Sequence, residues 1–439
     1  MTKTNNKPFA GKHVLVLEGY TKQSLPFIRE FKKLGCEVSV LCGTKWDCAY
    51  SSRYPDHKIL GVCDLHKTEE SERYIVELVK TGKFDMVFAP FEFSARILSH
   101  NKEELSKYAI IYAMDKDVFD RVNNKEEVMR VCMENGIPCP QTFFGIESID
   151  DIDGRIQFPV IIKPYSMYGA RGFHLFNTAD EMREYVKEKQ IDLKGYVVQE
   201  YIPEGSRLMG GNVMIDRNGD IKSSYLYVCE HIYPEVGGTS TLNGILIRPD
   251  ITKYCDKLVK LMGLQGEMGV DLMLDVRDNV GKVIEINPRP VHGIALGFYA
   301  GVNHAQQILE DAFCLEVTPM EVTKPKTASR IGQTDMLWFL KSRDRFRRMS
   351  WRLGYKPVKE QMFYWDDPLP WFAYLFENLK NYKKKMAEKR GTPTPKNASG
   401  GGQFSSLECR VESQFKSLRG QEFKINSGFA LMADRRVAA

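Results

Sequence analysis

The stretch Gly281–Pro290, GKVIEINPRP, reads as a strand that carries a carboxylate, an amide and a guanidinium at alternate positions. Side chains two apart on a strand share a face, so Val283, Glu285, Asn287 and Arg289 are expected on one side and Ile284 and Ile286 on the other. Polar groups on an otherwise apolar strand need partners, because an unpaired buried charge is costly. The preceding segment, Gly269–Val280 (GVDLMLDVRDNV), offers the first partner. In a hairpin centred on Asp278, Asp271 falls opposite Glu285. Like charges directly across a ladder are destabilising unless something neutralises them. Two carboxylates and the Asn287 amide oxygen form an all-oxygen set for a hard cation, Mg²⁺ with Mn²⁺ as the alternative. A surface hairpin with solvated acids is the plainer reading of this segment alone.

The whole chain sets the bounds. Its 439 residues suffice for two or three domains, and 43% apolar with 27% charged residues is ordinary for a soluble globular protein. A net charge of +5 is small for this length and gives no argument for nucleic acid. No apolar run approaches the roughly 20 residues that span a bilayer, and MTKTNNKPFAGKH lacks the apolar core of a signal peptide. The ten cysteines show no CxxC pair, which favours free thiols in a reducing compartment. The expectation is a cytoplasmic enzyme.

Residues 12–112 alternate strand-like and helix-like segments: KHVLVLEGY, QSLPFIREFKKLG, CEVSVLCG, HKILGVC, SERYIVELVKTG, FDMVFAP and AIIYAM. That alternation implies a parallel, doubly wound sheet. Gly19 lacks a GxGxxG context, so a structural Rossmann-like half is expected rather than a dinucleotide site. NNKEEVMRVCMENGIPCPQT reads as a helix capped by Asn124, with Glu127 three residues on, and stopped by Gly136 and Pro138. From Phe158 the pattern becomes strands joined by glycine-rich turns, an α+β arrangement dominated by antiparallel hairpins.

A nucleotide would be the natural companion of the metal set. FPVIIKPYSMYGARGF ends an apolar strand at Lys163 and continues into a loop with Gly169 and Gly172. Small residues let backbone N–H groups approach phosphate oxygens, and the lysine adds a point charge. An ordinary strand-end lysine is the alternative. YVVQEYIPEG ends a strand in a polar segment, where Glu200 and nearby backbone suit adenine edges and Glu204 suits a ribose; a turn with solvated acids is the competing reading.

In this order the motifs NNKEEVMRVCMENGIPCPQT, FPVIIKP, GARGF, VVQEYI, VDLMLD and EINPRP resemble the ATP-grasp superfamily, in particular its carbamoyl-phosphate-synthase-like and biotin-carboxylase-like branches. The resemblance covers roughly residues 12–315. It implies a Rossmann-like pre-ATP-grasp domain over 1–115 and an ATP-grasp domain over 116–320, with a small subdomain to about 202 and a large one beyond. It implies phosphate contacts from Lys125 and Lys163, and a loop Gly169-Ala170-Arg171-Gly172 that closes over the phosphates. Glu200-Tyr201-Ile202 would form the adenine hinge, and Asp271, Glu285 and Asn287 would hold Mg²⁺. Arg289 would orient substrate or stabilise charge near the γ-phosphate. The implied activity is an ADP-forming carboxylate–amine ligation acting on a small-molecule or glycan carboxylate and an amine, and relatives of this kind are often homodimers.

The chain also departs from its relatives. Gly269 stands where peptide-ligase relatives have an arginine, and RPVHGI replaces the glutamate–histidine pair of the carboxylases. Both D-alanine ligation and biotin carboxylation are therefore disfavoured. Arg171, Lys222, Arg248 and Arg289 all remain candidates for assisting phosphoryl transfer. His292 reads as a structural histidine ahead of an acid or base. The run Gly237-Gly238-Thr239-Ser240 suits a mobile segment beside the acceptor, or a plain turn. Two rival functions stand beside the ligase. One is a non-catalytic ATP-binding protein, against which the complete metal set argues. The other is an ATP-grasp enzyme with a thiol nucleophile, whose relatives carry a phosphohistidine domain that nothing here resembles. Residues 321–390 form an aromatic and basic section, read as a solvated helix packed on the ATP domain in preference to contact of 340–390 with a membrane surface or an anionic glycan. Residues 391–439 are a Gly/Ser/Pro-rich tail expected to stay disordered.

Overall fold

The alternating N-terminal segments form a five-stranded parallel sheet in the computed structural model, which describes residues 8–377 apart from 153, 165–173, 235–237 and 292. Its strands are β1 (His13–Val16), β2 (Glu37–Cys42), β3 (His57–Leu60), β4 (Met86–Phe88) and β5 (Ile110–Tyr112), in the order β3-β2-β1-β4-β5. Parallel neighbours need crossovers, and the helices Ser24–Leu34, Thr68–Lys80 and Glu92–His100 lie along the connections. Val14, Leu15 and Val16 are all buried, which accounts for the continuous apolar run: both faces of the sheet are covered. The helix Ser24–Leu34 buries Leu25, Phe27, Ile28 and Phe31 and stops at Gly35, whose φ of 106° lets its N–H and that of Cys36 return to Lys32 and Phe31 carbonyls. The strand order reverses between β1 and β4, and such switch points open a crevice at the carboxyl ends of the strands. Glu18 and Glu92 lie just beyond those two ends.

The helix Lys125–Glu134 forms where expected. Asn124 caps it by accepting the Glu126 N–H at 3.0 Å, so the capping partner is Glu126. A four-stranded antiparallel sheet follows: β6 (Thr142–Phe143), β7 (Val160–Pro164), β8 (His174–Phe176) and β9 (Tyr196–Glu200), ordered β6-β9-β7-β8.

The large sheet comprises β10 (Arg207–Ile215), β11 (Ile221–Tyr233), β12 (Thr239–Leu246), β13 (Gly266–Leu274), β14 (Gly281–Asn287), β15 (Ala328–Arg330) and β16 (Val358–Glu360), ordered β14-β13-β10-β11-β12-β15-β16. Only the β15–β16 pair is parallel. The aromatic and basic section therefore adds two edge strands to the large sheet, as well as the helix Gly332–Lys341, where the sequence suggests a helix alone. One core joins the first sheet to the third: Leu15, Val87 and Ile111 cluster with Met209, Val270, Leu272, Val283 and Ile286.

The section is also locked to the first sheet. Arg29 and Asp367 are buried and paired, with Nη2 to Oδ2 at 2.9 Å. Arg29 donates further to the Gln361 and Met362 carbonyls, while Asp367 accepts from the Ser52 hydroxyl at 2.7 Å and the Arg53 N–H at 2.9 Å. Nine cysteines among the described residues are free thiols. The tail 391–439 lies outside the described residues.

Candidate functional site

The hairpin β13–β14 pairs Asp271 with Glu285, Val270 with Ile286 and Gly269 with Asn287, as the sequence suggests. Beyond Asp271 the register shifts, and Leu272 meets Val283. Ile284 is thus the extra residue of a β-bulge, and the alternation breaks there. Val283 joins Ile286, Val270 and Leu272 in the core, which corrects its expected place beside Glu285. The shift instead turns Lys282, opposite Met273, toward the polar side, where it reaches Glu200.

Asp271 sits deep in this face. Burial first, and Glu285 across the ladder second, push its carboxyl up to about 7, against the pull of Arg289 and the Asn287 amide. Asn287 Nδ2 donates to Asp271 Oδ2 at 3.1 Å, and its Oδ1 accepts from Arg289 Nη2 at 2.9 Å. Ligation of a cation by this amide requires its oxygen turned to the carboxylates, an exchange of two atoms of similar size. Arg289 is 9% exposed, lies 5.1 Å over the Phe91 ring and 3.9 Å from Glu92, and has a buried Nε without a protein acceptor.

Two lysines face Glu285. Lys125 Nζ lies 3.5 Å from its Oε2. Lys163 donates to Gln199 Oε1 at 2.9 Å; burial lowers its amine to about 8, with Glu285 opposing and Lys125 adding to the fall. Two cations and two carboxylates in one desolvated recess, with an orphaned guanidinium nitrogen beside them, suit a polyanion held through a divalent ion. The donor set fits Mg²⁺ and the phosphates of a nucleotide.

The segment Glu200-Tyr201-Ile202 is more committed than its sequence suggests. Glu200 accepts from the Gln141 N–H at 3.1 Å and pairs with Arg277 and with Lys282 at 3.2 Å. Burial would raise its carboxyl, but these donors outweigh it and hold it below the usual range. Lys282 also meets Asp275 at 2.9 Å, so the pairing closes a cluster that ties the β9 end to the β13–β14 hairpin. The Tyr201 N–H is taken by the Pro159 carbonyl. Ile202 is buried, and Glu204 is exposed in the turn beyond it.

Of the other candidates, Lys222 pairs with Asp216 at 3.1 Å at the far end of β10, and Arg248 pairs with Asp250 at 2.7 Å. Neither reaches Asp271, so Arg289 is the described arginine beside the carboxylates. Gly169, Ala170, Arg171, Gly172, Gly237 and His292 lie outside the described residues. Gly269 admits Val291: a Cβ there would stand 1.9 Å from Val291 Cγ1. The position that carries an arginine in peptide ligases is filled by a valine from the next segment.

Three contributors are visible only in the structure. Glu92 is one, raised by burial against Arg289. Glu18 is the second, fully buried at φ 54°, accepting from Tyr20 at 3.0 Å and from Ser94, and pushed up to about 7 by burial. The rule placing sites at the carboxyl ends of parallel strands would have found both. Lys282 is the third, and only the bulge brings it in.

Residues 122–293 match the family model described as an ATP-grasp domain. The chain carries an ATP-grasp domain. D-aspartate ligase of Enterococcus faecium is 25% identical over 240 residues, which are 49% of this chain and 56% of that protein. The carbamoyl phosphate synthase large chain of Methanosphaerula palustris is 22% identical over 185 residues, 39% of this chain and 17% of that one. The chain thus spans about half the length of the first relative and a sixth of the second. The biotin carboxylase domain of Hydrogenobacter thermophilus 2-oxoglutarate carboxylase, solved with MgADP and bicarbonate, superposes with a TM-score of 0.56 at 17% identity, covering 69% of each chain. At that identity the superposition shows the fold alone, a parallel-sheet domain followed by the ATP-grasp architecture.

Proposed function

We propose that the chain is an ADP-forming ligase that activates a carboxylate with ATP and passes the acyl group to an amine. The observation that carries this reading is the opposition of Asp271 and Glu285 across β13–β14, with Lys125 and Lys163 facing Glu285. In this reading Lys125 and Lys163 bind phosphate oxygens, and the loop Gly169-Ala170-Arg171-Gly172 covers them. The backbone of Glu200-Tyr201-Ile202 borders adenine, and Glu204 faces the ribose. Asp271, Glu285 and Asn287 hold Mg²⁺, which when bound neutralises charge on the phosphates. A substrate carboxylate oxygen attacks the terminal phosphorus as its bond to ADP breaks. The amine nitrogen then attacks the acyl carbon, phosphate leaves, and the amine proton passes to solvent or a nearby base. Arg289, beside Glu92 and released from the Asn287 oxygen when that oxygen turns to the metal, would stabilise the transferring charge. No protein nucleophile is needed.

The acid and the amine enter from the crevice where β1 and β4 end, beside Glu18 and Glu92. The similarity to a D-aspartate ligase makes small dicarboxylic acids the first to try, with sugar acids next. Mass spectrometry after incubation with Mg-ATP, pooled carboxylic acids and hydroxylamine tests the reading. ADP together with a hydroxamate, both lost in Glu285→Gln, is the expected result. AMP as product overturns it, and Mg-ATP binding without turnover of any acid favours a non-catalytic binding protein.

A further inference from the structure

The first residues of three neighbouring strands carry side chains that ligate metals. His13 opens β1, Glu37 opens β2 and His57 opens β3. The parallel register sets His13 beside Glu37 and Ser39 beside His57. Residues 37 and 39 share a face of β2, so all four side chains stand on one face of the sheet. They lie at its amino-terminal edge, the end away from the crevice with Glu18 and Glu92.

β1 and β3 are two strand spacings apart, roughly 9.6 Å, yet the His13 and His57 rings approach to 5.6 Å between centroids. Both rings lean over β2. One nitrogen of each and one Glu37 carboxylate oxygen fall within 4.8 Å of one another. His57 Nε2 is 2.6 Å from Glu37 Oε1, and a surface ion pair would account for those two groups. It leaves out His13, whose ring is nonetheless held in place. Phe84 meets that ring edge-on at 5.0 Å, and Ser39 Oγ lies 2.8 Å from its Nε2. The flanking lysines turn to the opposite face. Lys12 lies 4.8 Å over the Phe313 ring and Lys58 lies 5.6 Å over the Tyr50 ring, and both rings pack on the core of Val14 and Val38. Neither lysine competes for Glu37.

Two imidazoles and a carboxylate suit Zn²⁺ and its neighbours Cu²⁺, Ni²⁺ and Co²⁺, whereas Mg²⁺ takes oxygen ligands. A tetrahedral Zn²⁺ with bonds of about 2.1 Å needs ligand atoms roughly 3.4 Å apart, a closure within reach of side-chain rotation. We propose that His13, Glu37 and His57 form a binding site for a divalent transition-metal ion, Zn²⁺ first, with the fourth position open to water. Ser39 is the outer partner that orients His13. The ion joins the amino ends of β1, β2 and β3 and stabilises the first sheet by mass action. It is separate from the Mg²⁺ set of Asp271, Glu285 and Asn287, which lies on the third sheet.

The test is titration of the full chain with Zn²⁺ in excess Mg²⁺, which occupies the oxygen set of the hairpin. One Zn²⁺ per chain is expected, weakened about tenfold or more in His13→Gln and in His57→Gln and about tenfold in Ser39→Ala. His66→Gln, at an exposed histidine in the connection after β3, should leave it unchanged. Zn²⁺ should raise the melting temperature of the wild type but not of the two ligand variants, and a cooperative melt without Zn²⁺ controls for their folding. Pulsed electron paramagnetic resonance of the Cu²⁺-loaded wild type needs no variant and should show two coupled imidazoles. No Zn²⁺ binding in excess Mg²⁺ overturns the proposal, as does a Cu²⁺ spectrum without imidazole coupling. Binding of equal strength in both histidine variants also overturns it and places the ion on the thiols or another set.

Discussion

Asp271 and Lys163 are held away from their ordinary protonation in opposite senses, and that gives the site a signature. Asp271 is raised to about 7, so at pH 6 it carries a proton that a cation must displace. Lys163 is lowered to about 8, so at pH 9 it is mostly neutral and a phosphate anion draws a proton onto it. Mg-ATP binding should therefore release protons at pH 6 and take them up at pH 9. Calorimetry in two buffers of different ionisation heat measures the sign, and one sign at both values contradicts the assignment. Gly269 gives a packing test at the same scale. With Val291 Cγ1 1.9 Å from where a Cβ would stand, Gly269→Ala should cost about 1–3 kcal/mol by overpacking, seen as a lower melting temperature. Val291→Ala in the same chain should restore part of the loss. The type and spacing of the acids were readable in the sequence because a strand fixes which residues share a face. The ends of β1 and β4 point to Glu18 and Glu92, but their approach to Arg289 was not readable, since it comes only through the packing of the first sheet on the third.

At the scale of elements, the hairpin shows both what alternation can tell and where it stops. Asp271, Glu285 and Asn287 fall together because the ladder keeps its register through them. The bulge at Ile284 has no mark in the sequence, no glycine or proline, and it sends Val283 to the core and Lys282 to Glu200. Lys282 then draws the β9 end onto the hairpin through Glu200 and Asp275. Lys282→Met should loosen that junction and weaken Mg-ATP binding by about 1 kcal/mol, roughly fivefold, through a hydrogen-bonded charge lost beside Glu200. An unchanged dissociation constant in an equilibrium titration would show the cluster to be structural only. The parallel sheet was legible for a simpler reason: strands covered on both faces read as unbroken apolar runs.

At the scale of the whole molecule, residues distant in sequence hold the parts together. Arg29 and Asp367 are fully buried and hydrogen-bonded on all sides, so removing one leaves the other charged and unpaired. Arg29→Met should destabilise the fold by about 3–5 kcal/mol, with Arg29→Met/Asp367→Leu recovering part of it. Comparison of denaturation midpoints checks this, and a single variant as stable as the wild type would refute the clamp. The sequence shows Asp367, ahead of Pro368, but not its partner, because nothing local pairs positions so far apart.

The most direct test of the central claim is titration of Mg-ATP into the wild type, Asp271→Asn, Glu285→Gln and, as a control, Lys222→Gln. The account predicts one site per chain, weakened about tenfold or more (1.4 kcal/mol) by either hairpin variant and unaffected by the control. Equal affinity in all four proteins would mean that the polar face of Gly281–Pro290 has some other partner.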